Sequence, residues 1–517
     1  MAVPPPSDSR LSRRSLLRYG AAGLGTAALA GGGAPALARG RNRPVLTHGI
    51  QLGDPRTDGA VVWTRADRSA RMVVEVSGRP DFRDSRTIRG PELTPKTDGT
   101  GRVRITGLDP GRQVYLRVHA ESGKSSSEVV EGGFRTAGGA DDGTIRFLFS
   151  ADTAGQGWGI NPDLGGMPIF NAMADREPDF FLNSGDVCYS DVPLEESVTL
   201  PDGRVWKNVV TEEKADVAQS LAQFRGQFAY NLLDDALRGF AARVPQIVQW
   251  DDHEVVNNWY PGRILDDDRY TETDIDVLAE RAHRAFHEWQ PIVPAEAVDG
   301  KIYRKLSYGP DLDIFVIDMR PYRDPNSPGN APYERILGDS QVNWLIEQVP
   351  ASAATWKVIA SDMPLGLVVP DGDEDVEAVA NGSPGEPLGR EAEIDRVLHD
   401  LHRRGARDVV WVTADVHYTA AHRYSPDRAS GREFTPFWEF VSGPLHAGAF
   451  GPNELDPTFG PEVVFQNTPP EANTSPLGGF QHFGEVEIDR RSKELTVHLR
   501  DHNGDSLWST TLTPGGA

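Results

Sequence analysis

Carboxylates, imidazoles and a phenol gather in three short stretches of this sequence: Gly185-Asp186-Val187-Cys188-Tyr189, Trp250-Asp251-Asp252-His253-Glu254 and Ala414-Asp415-Val416-His417. Each stretch follows an apolar, β-branched or aromatic run, and Asp152, Asp318 and Asp362 follow runs of the same kind. The runs are Ile145 to Ser150, Phe180 to Leu182, Ile247 to Trp250, Ile314 to Ile317, Trp356 to Ala360 and Val409 to Val412. In open α/β architectures the carboxyl ends of the strands converge on one crevice, so charge carried by distant segments becomes one site. So many carboxylates cannot all ionise a few ångströms apart. A cation is expected among them, and the chemistry expected is metal-assisted.

The elements that must position these residues fall into two kinds. From Thr144 onward, strands alternate with helical patterns, the signature of α/β organisation. A helix is predicted from Arg390 to Arg404, where Ile394, Val397, Leu398 and Leu401 fall at i, i+3, i+4 and i+7, and it leads into the strand that ends at Asp415. Glu485 to Ile488 and Leu495 to Leu499 alternate like an antiparallel hairpin. Residues 44 to 138 instead show short strands, Ala60 to Thr64, Met72 to Val76 and Tyr115 to His119, between Gly/Pro/Asp turns, which predicts a small all-β sandwich. Leu108-Asp109-Pro110-Gly111 before Tyr115 looks like the tyrosine-corner segment of fibronectin type III domains, and the run Gly138 to Gly143 reads as a linker. Val369 to Gly389 is expected to be a surface loop near the strand ends.

At 517 residues the chain is too long for one ordinary core. Ser12-Arg13-Arg14-Ser15-Leu16-Leu17, an Ala/Gly/Leu-rich stretch and Ala36-Leu37-Ala38 predict a twin-arginine signal peptide over 1–38, cleaved after Ala38. The domains expected are therefore 1–38, an amino-terminal β-sandwich at 39–140 and a catalytic domain at 141–517. The expected partner is the twin-arginine export machinery, and the expected location is secreted, in the medium or the periplasmic or cell-wall space. The formal charge is −23, and with four Arg and one Asp in the leader the remainder stands at about −26. That charge argues against a nucleic-acid-binding surface and against adhesion to anionic membranes. No later segment is long and apolar enough to anchor the chain stably in a bilayer. A single cysteine, Cys188, excludes an intramolecular disulfide and reads as a small buried hydrophobe.

Taken in order behind that leader, the three stretches resemble the alkaline phosphatase D family of the metallophosphoesterase superfamily. His48-Gly49-Ile50-Gln51-Leu52-Gly53-Asp54-Pro55 looks like that family's amino-terminal opening, and Asp318-Met319-Arg320-Pro321-Tyr322-Arg323 looks like its later internal signature. The resemblance covers nearly the whole chain after the leader. It implies a metallophosphoesterase-type β-sandwich flanked by helices, preceded by a fibronectin- or Ig-like all-β domain.

The resemblance also implies two metals. Asp186 takes the bridging role, while Tyr189, Asp152 and His417 complete the sphere of a ferric ion, which phenolate suits. Asp152 is a departure, because members of the best-known type carry cysteine there. A second departure is oxygen-only ligation by Asp252, Asp415 and Asp362, which favours calcium at the other site; for Asp362 a carboxylate bonded to backbone amides is the alternative. His253 is implied to assist the leaving oxygen, with pairing to Asp251 or Glu254 open as its simpler role. Arg320 and Arg323 are candidates for forking onto a phosphate oxygen, with bracing of Asp318 left open for one of them. The activity implied is hydrolysis of phosphate monoesters and diesters by a metal-bound hydroxide attacking in line. An iron-dependent phospholipase D is the first alternative, and Trp158, Trp259 and Phe450 are its candidate apolar rim. An exported calcium-binding adhesive protein is the second.

Overall fold

Alternation within the apolar runs decides the architecture. Ile314 and Val316, Val358 and Ala360, and Val410 and Val412 point into one core, where they meet Phe147, Phe149, Phe180, Leu182 and Ile247. The residues between them, Phe315, Ile359 and Trp411, point the opposite way and pack on Val342, Leu345, Ile394, Val397 and Leu401. Strands buried on both faces in this way read as continuous hydrophobic runs, and the result is two sheets face to face with helices outside. The computed structural model describes residues 43–138, 143–293 and 301–516. The leader over 1–38 and most of the 138–143 linker lie outside the described residues.

The first sheet has nine strands in the order Ser506–Leu512, Leu495–Asp501, His482–Asp489, Thr144–Ser150, Phe180–Asn183, Gln246–Val248, Leu46–Arg56, Gly59–Ala66, Thr100–Ile105. Thr144–Ser150, Phe180–Asn183 and Gln246–Val248 are parallel. The second sheet has seven, in the order Arg304–Ser307, Leu312–Val316, Trp356–Ala360, Val409–Thr413, Phe437–Val441, Thr419–Tyr424, Glu462–Asn467. Its middle four strands are parallel. Six of these seven parallel strands run out toward Asp152, Asp186, Asp251, Asp318, Asp362 and Asp415.

The amino-terminal strands form their own sandwich while extending the first sheet. Ile50, Leu52, Ala60 and Val62 pack against Met72, Val74, Leu116 and Val118 of a five-stranded sheet. Leu46–Arg56 also pairs with Gln246–Val248 at Gly53 and Gln246. The helix on the Ile394 periodicity spans Glu391–Arg403, and the carboxyl-terminal hairpin is His482–Asp489 with Leu495–Asp501. A third strand, Ser506–Leu512, forms the sheet edge; its mostly exposed or half-buried Ser/Thr pattern gave no apolar alternation to read. Gly484 faces Phe149 across the sheet, and a Cβ there would stand 2.0 Å from that ring.

Candidate active site

Beyond their strands the chain turns sharply, and the turns aim the side chains. Asp152, Asp186, Asp415 and His417 have φ of 66°, 46°, 67° and 60°. That left-handed region is uncommon outside glycine, and strain of this kind gathers at functional sites. Gly155 lets Tyr189 lie close, since a Cβ there would stand 2.2 Å from its ring. Lys214 is buried and donates from Nζ to the Tyr189 carbonyl at 2.8 Å, fixing the phenol's backbone.

The side chains converge on a cavity of about 400 Å³ that Asp186, Asp252, His253, Glu377, Asp415 and His417 help to line. Ligand atoms of Asp152, Asp186 and His417 lie within 4.8 Å of one another, as do those of Asp186, Asp252 and His253, and those of Asp251, Asp252 and Asp415. Tyr189 joins the first group, its hydroxyl 3.0 Å from His417 Nε2. Asp186 and Asp252 each belong to two of the groups, and Asp186 alone links the Asp152–His417 group to the others.

The donor set fits cations. Both carboxylate oxygens of Asp152 and Oδ1 of Asp252 are buried without a hydrogen-bond partner among the described residues, a state that costs free energy unless something compensates. Burial first, then neighbouring carboxylates, push Asp152, Asp186 and Asp415 well above the usual carboxylate range. Asp252 is the exception: His253, Arg320 and the Asn258 amide outweigh burial and hold it at about 2. His417 donates from Nδ1 to the Gly448 carbonyl, which leaves the Nε2 lone pair toward Asp152 and Tyr189. Burial holds that imidazole neutral, at about 4. A neutral ring fixed through its far nitrogen is the arrangement of a metal-ligating histidine.

His253 is held by a residue the sequence did not reveal. Its Nδ1 lies 2.7 Å from Asp191 Oδ1, and the Asn257 amide holds the other oxygen of Asp191 at 2.9 Å. Burial alone would lower the imidazole, but Asp191, Asp252 and Asp186 together raise it well above its ordinary value. The simpler pairing partners expected for it serve elsewhere: Glu254 accepts from the Val187 and Asp251 amides, and Asp251 receives Arg320 Nε at 2.6 Å.

Residues 147–499 match the PhoD-like phosphatase family, and residues 32–138 match the PhoD-like phosphatase amino-terminal domain. The chain belongs to the PhoD-like phosphatase family. It is therefore placed among the phosphoric ester hydrolases. Alkaline phosphatase D of Bacillus subtilis (strain 168) is 26% identical over 441 residues, spanning 78% of this chain and 70% of the relative. A solved structure of PhoD superposes with a TM-score of 0.67 at 21% identity, covering 90% of this chain and 89% of that one. Purple acid phosphatase PPD1 from yellow lupin (Lupinus luteus) seeds superposes with a TM-score of 0.58 at 13% identity, covering 91% and 74%. Both structures share the fold.

Within this PhoD-like site several expected residues stand apart from the ligand groups. Asp318 accepts from Trp250 Nε1 at 2.9 Å and from the Arg320 amide. Asp362 lies 3.8 Å from Arg320 and is in none of the three groups. Arg320 is 0% exposed, contacts Asp251 and Glu377, and does not line the cavity. Arg323 donates to the Glu377 carbonyl and lines a different cavity. Neither arginine is placed to fork onto a phosphate here; both brace the carboxylate wall. Glu377 lines the cavity but carries no distinct signal in the sequence, where it ends the acidic run Asp371 to Glu377. Trp158 and Trp259 are buried, so of the expected apolar rim only Phe450 reaches the cavity. Cys188 packs among Val217, Phe224 and Trp250. No helix among the described residues is long and apolar enough to cross a membrane.

Proposed function

We propose that this chain is an exported, two-metal phosphoesterase acting on phosphate monoesters and diesters. The observation that supports it most is that Asp186 is the carboxylate shared between the group of Asp152 and His417 and the group of Asp252, the position of a bridging ligand. Asp152, Asp186, Tyr189 and His417 would hold a ferric ion, and Asp186, Asp252 and Asp415 a calcium ion, with Asp362 at the margin. Such ions supply charge neutralisation, Lewis acidity toward phosphoryl oxygens and an acidified water.

The chain's own residues do the rest. Asp191 orients His253 through Nδ1, which leaves Nε2 as the ring nitrogen able to give a proton to the departing ester oxygen. Arg320 and Glu377 hold the wall, and Tyr189, packed 4.3 Å from the His253 ring, limits that ring's motion. Residues 1–38 act as a twin-arginine leader; retention inside the cell of an Arg13→Lys, Arg14→Lys double variant supports this, and unaltered secretion overturns it.

The purified protein is tested on an aryl monophosphate, a bis-aryl phosphate and phosphatidylcholine. Turnover of the first two supports the proposal, and activity on phosphatidylcholine alone replaces it with a phospholipase. In the iron assignment, concentrated oxidised protein shows a visible phenolate band that Tyr189→Phe abolishes. A colourless, iron-free and fully active enzyme rules iron out.

A further inference from the structure

Asp152 is the acidic side chain whose position its own bonds explain least. It is 0% exposed, and neither carboxylate oxygen has a hydrogen-bond partner among the described residues. His417 Nε2 lies 3.8 Å from Oδ1, but that nitrogen carries a lone pair, because the ring donates through Nδ1 to the Gly448 carbonyl. A carboxylate that no donor holds is placed by what it packs against, and Gly443 lies against Oδ2. A Cβ at 443 would stand 2.2 Å from Asp152 Oδ2 and 3.5 Å from its Cγ. A side chain there and the carboxylate exclude each other. The φ of Gly443 is outside the left-handed region, so its backbone suits other residues and space alone demands glycine.

Neither partner is free to back away. The His446 amide donates to the Asp152 carbonyl at 3.0 Å, the Ala154 amide to the His446 carbonyl at 2.7 Å and the Leu445 amide to the Ala151 carbonyl at 2.8 Å. Gly443 is fixed from its other side by His482, which is fully buried. His482 donates from Nδ1 to the Gly443 carbonyl at 3.2 Å and from its amide to the Pro444 carbonyl at 3.0 Å. Asn467 Nδ2 donates to His482 Nε2 at 3.0 Å, which sets that tautomer. The His482 carbonyl in turn accepts from Ser150 Oγ at 2.9 Å, two residues before Asp152. The strand end that carries the carboxylate and the glycine beneath it are therefore tied to one histidine. A methyl added at 443 must be taken up by the carboxylate.

We infer that Gly443 is a positioning residue: its bare Cα sets where the Asp152 carboxylate stands, and with it the geometry of the Asp152–Asp186–His417 group. This role rests on the two-metal reading of the site and deepens it. The stretch Ser442 to Phe450 also supplies the Gly448 carbonyl to His417 and the Phe450 ring to the cavity. One segment with no carboxylate of its own thus places two of the three side chains in that group.

The test is a double-mutant cycle on the full chain, stripped of metal by chelation, with Gly443→Ala, Asp152→Ala and the two combined. Melting temperature of the stripped protein is one readout, and anaerobic titration with ferrous iron is the other. Gly443→Ala alone should lower the melting temperature and weaken iron binding roughly 10- to 100-fold. In the Asp152→Ala background the room left by the carboxylate takes the methyl, so Gly443→Ala should change neither quantity. If the single variant fails to fold, recovery of folding in the double variant supports the inference, and failure of both overturns it. Equal losses in both backgrounds, or wild-type iron affinity in Gly443→Ala, likewise overturn it. If the wild type takes up no iron, the melting temperatures still decide, so failure of the metal reading and failure of this role are separately visible.

Discussion

Two clusters of acidic side chains meet the same geometric criterion for holding a cation, and only one belongs to the cavity. At the strand ends, Asp152 has no hydrogen-bond partner for either oxygen among the described residues. In the carboxyl-terminal hairpin, Glu485, Glu487 and His498 also bring three ligand atoms within 4.8 Å. There, however, Arg176 Nε lies 2.5 Å from Glu485, Arg500 Nε lies 3.0 Å from it, and Arg146 lies 2.5 Å from Glu487. The hairpin already contains its counter-charges, in guanidinium form. Proximity of donors therefore does not mark a metal centre; buried charge that the protein leaves uncompensated does.

The contrast can be broken most forcefully at Asp186. Asp186→Asn should lower metal content and turnover together, by about 10³-fold or more in rate, because several kcal/mol of charge stabilisation would go with the ions. Metal analysis and kcat on one preparation check this, and full metal content with mild loss of rate would refute the bridging role. His253→Ala should cost about 10²- to 10⁴-fold on alkyl phosphates and much less on nitrophenyl phosphate, whose leaving group scarcely needs a proton. Asp191→Asn should show the same leaving-group dependence at roughly 10- to 100-fold. Equal losses on both substrates would make the Asp191–His253 pair structural.

The smallest effect on activity is expected in the hairpin. Burial raises the Glu485 carboxyl, but hydrogen bonds from Arg176 and Arg500 outweigh it and hold the group below its ordinary value. Its stabilisation is therefore complete above the unfolded glutamate value of about 4.3 and is lost as pH falls through the folded value. Glu485→Gln should cost roughly 3 kcal/mol of stability at neutral pH, leave metal content and kcat unchanged, and flatten the acid limb of the stability profile. Denaturant melts between pH 3 and 7 read this out, and an acid limb identical to wild type would count against the ion-pair account.

Much of the site was legible because apolar runs locate strand ends, and strand ends in parallel sheets share a pole. That reasoning brought Asp152, Asp186, Asp252, Asp415 and His417 together across more than 260 residues of sequence. It could not separate Asp318 from them, since an aspartate after a buried strand looks the same whether it meets a cavity or the indole of Trp250. Asp191 lies beyond the strand end in a loop with no periodicity, and its contact with His253 spans 62 positions. Arg320 and Arg323 advertise their charge in the sequence but not the direction each one faces. Trp158 and Trp259 show the reverse failure: a tryptophan in a loop is buried or exposed according to what folds over it, here Trp206 and Trp250.

The order of strands in the nine-stranded sheet has a consequence for how the enzyme comes into being. Thr144–Ser150, which ends two residues before Asp152, is flanked on one side by Phe180–Asn183 and on the other by His482–Asp489. During synthesis that second edge stays open until more than three hundred further residues have left the ribosome. Pairings so distant in sequence form late, and an unpaired edge invites association with other chains. Chains shortened before His482 should aggregate, and assembly of the Asp152 corner of the metal centre becomes one of the last events in the life of the nascent chain.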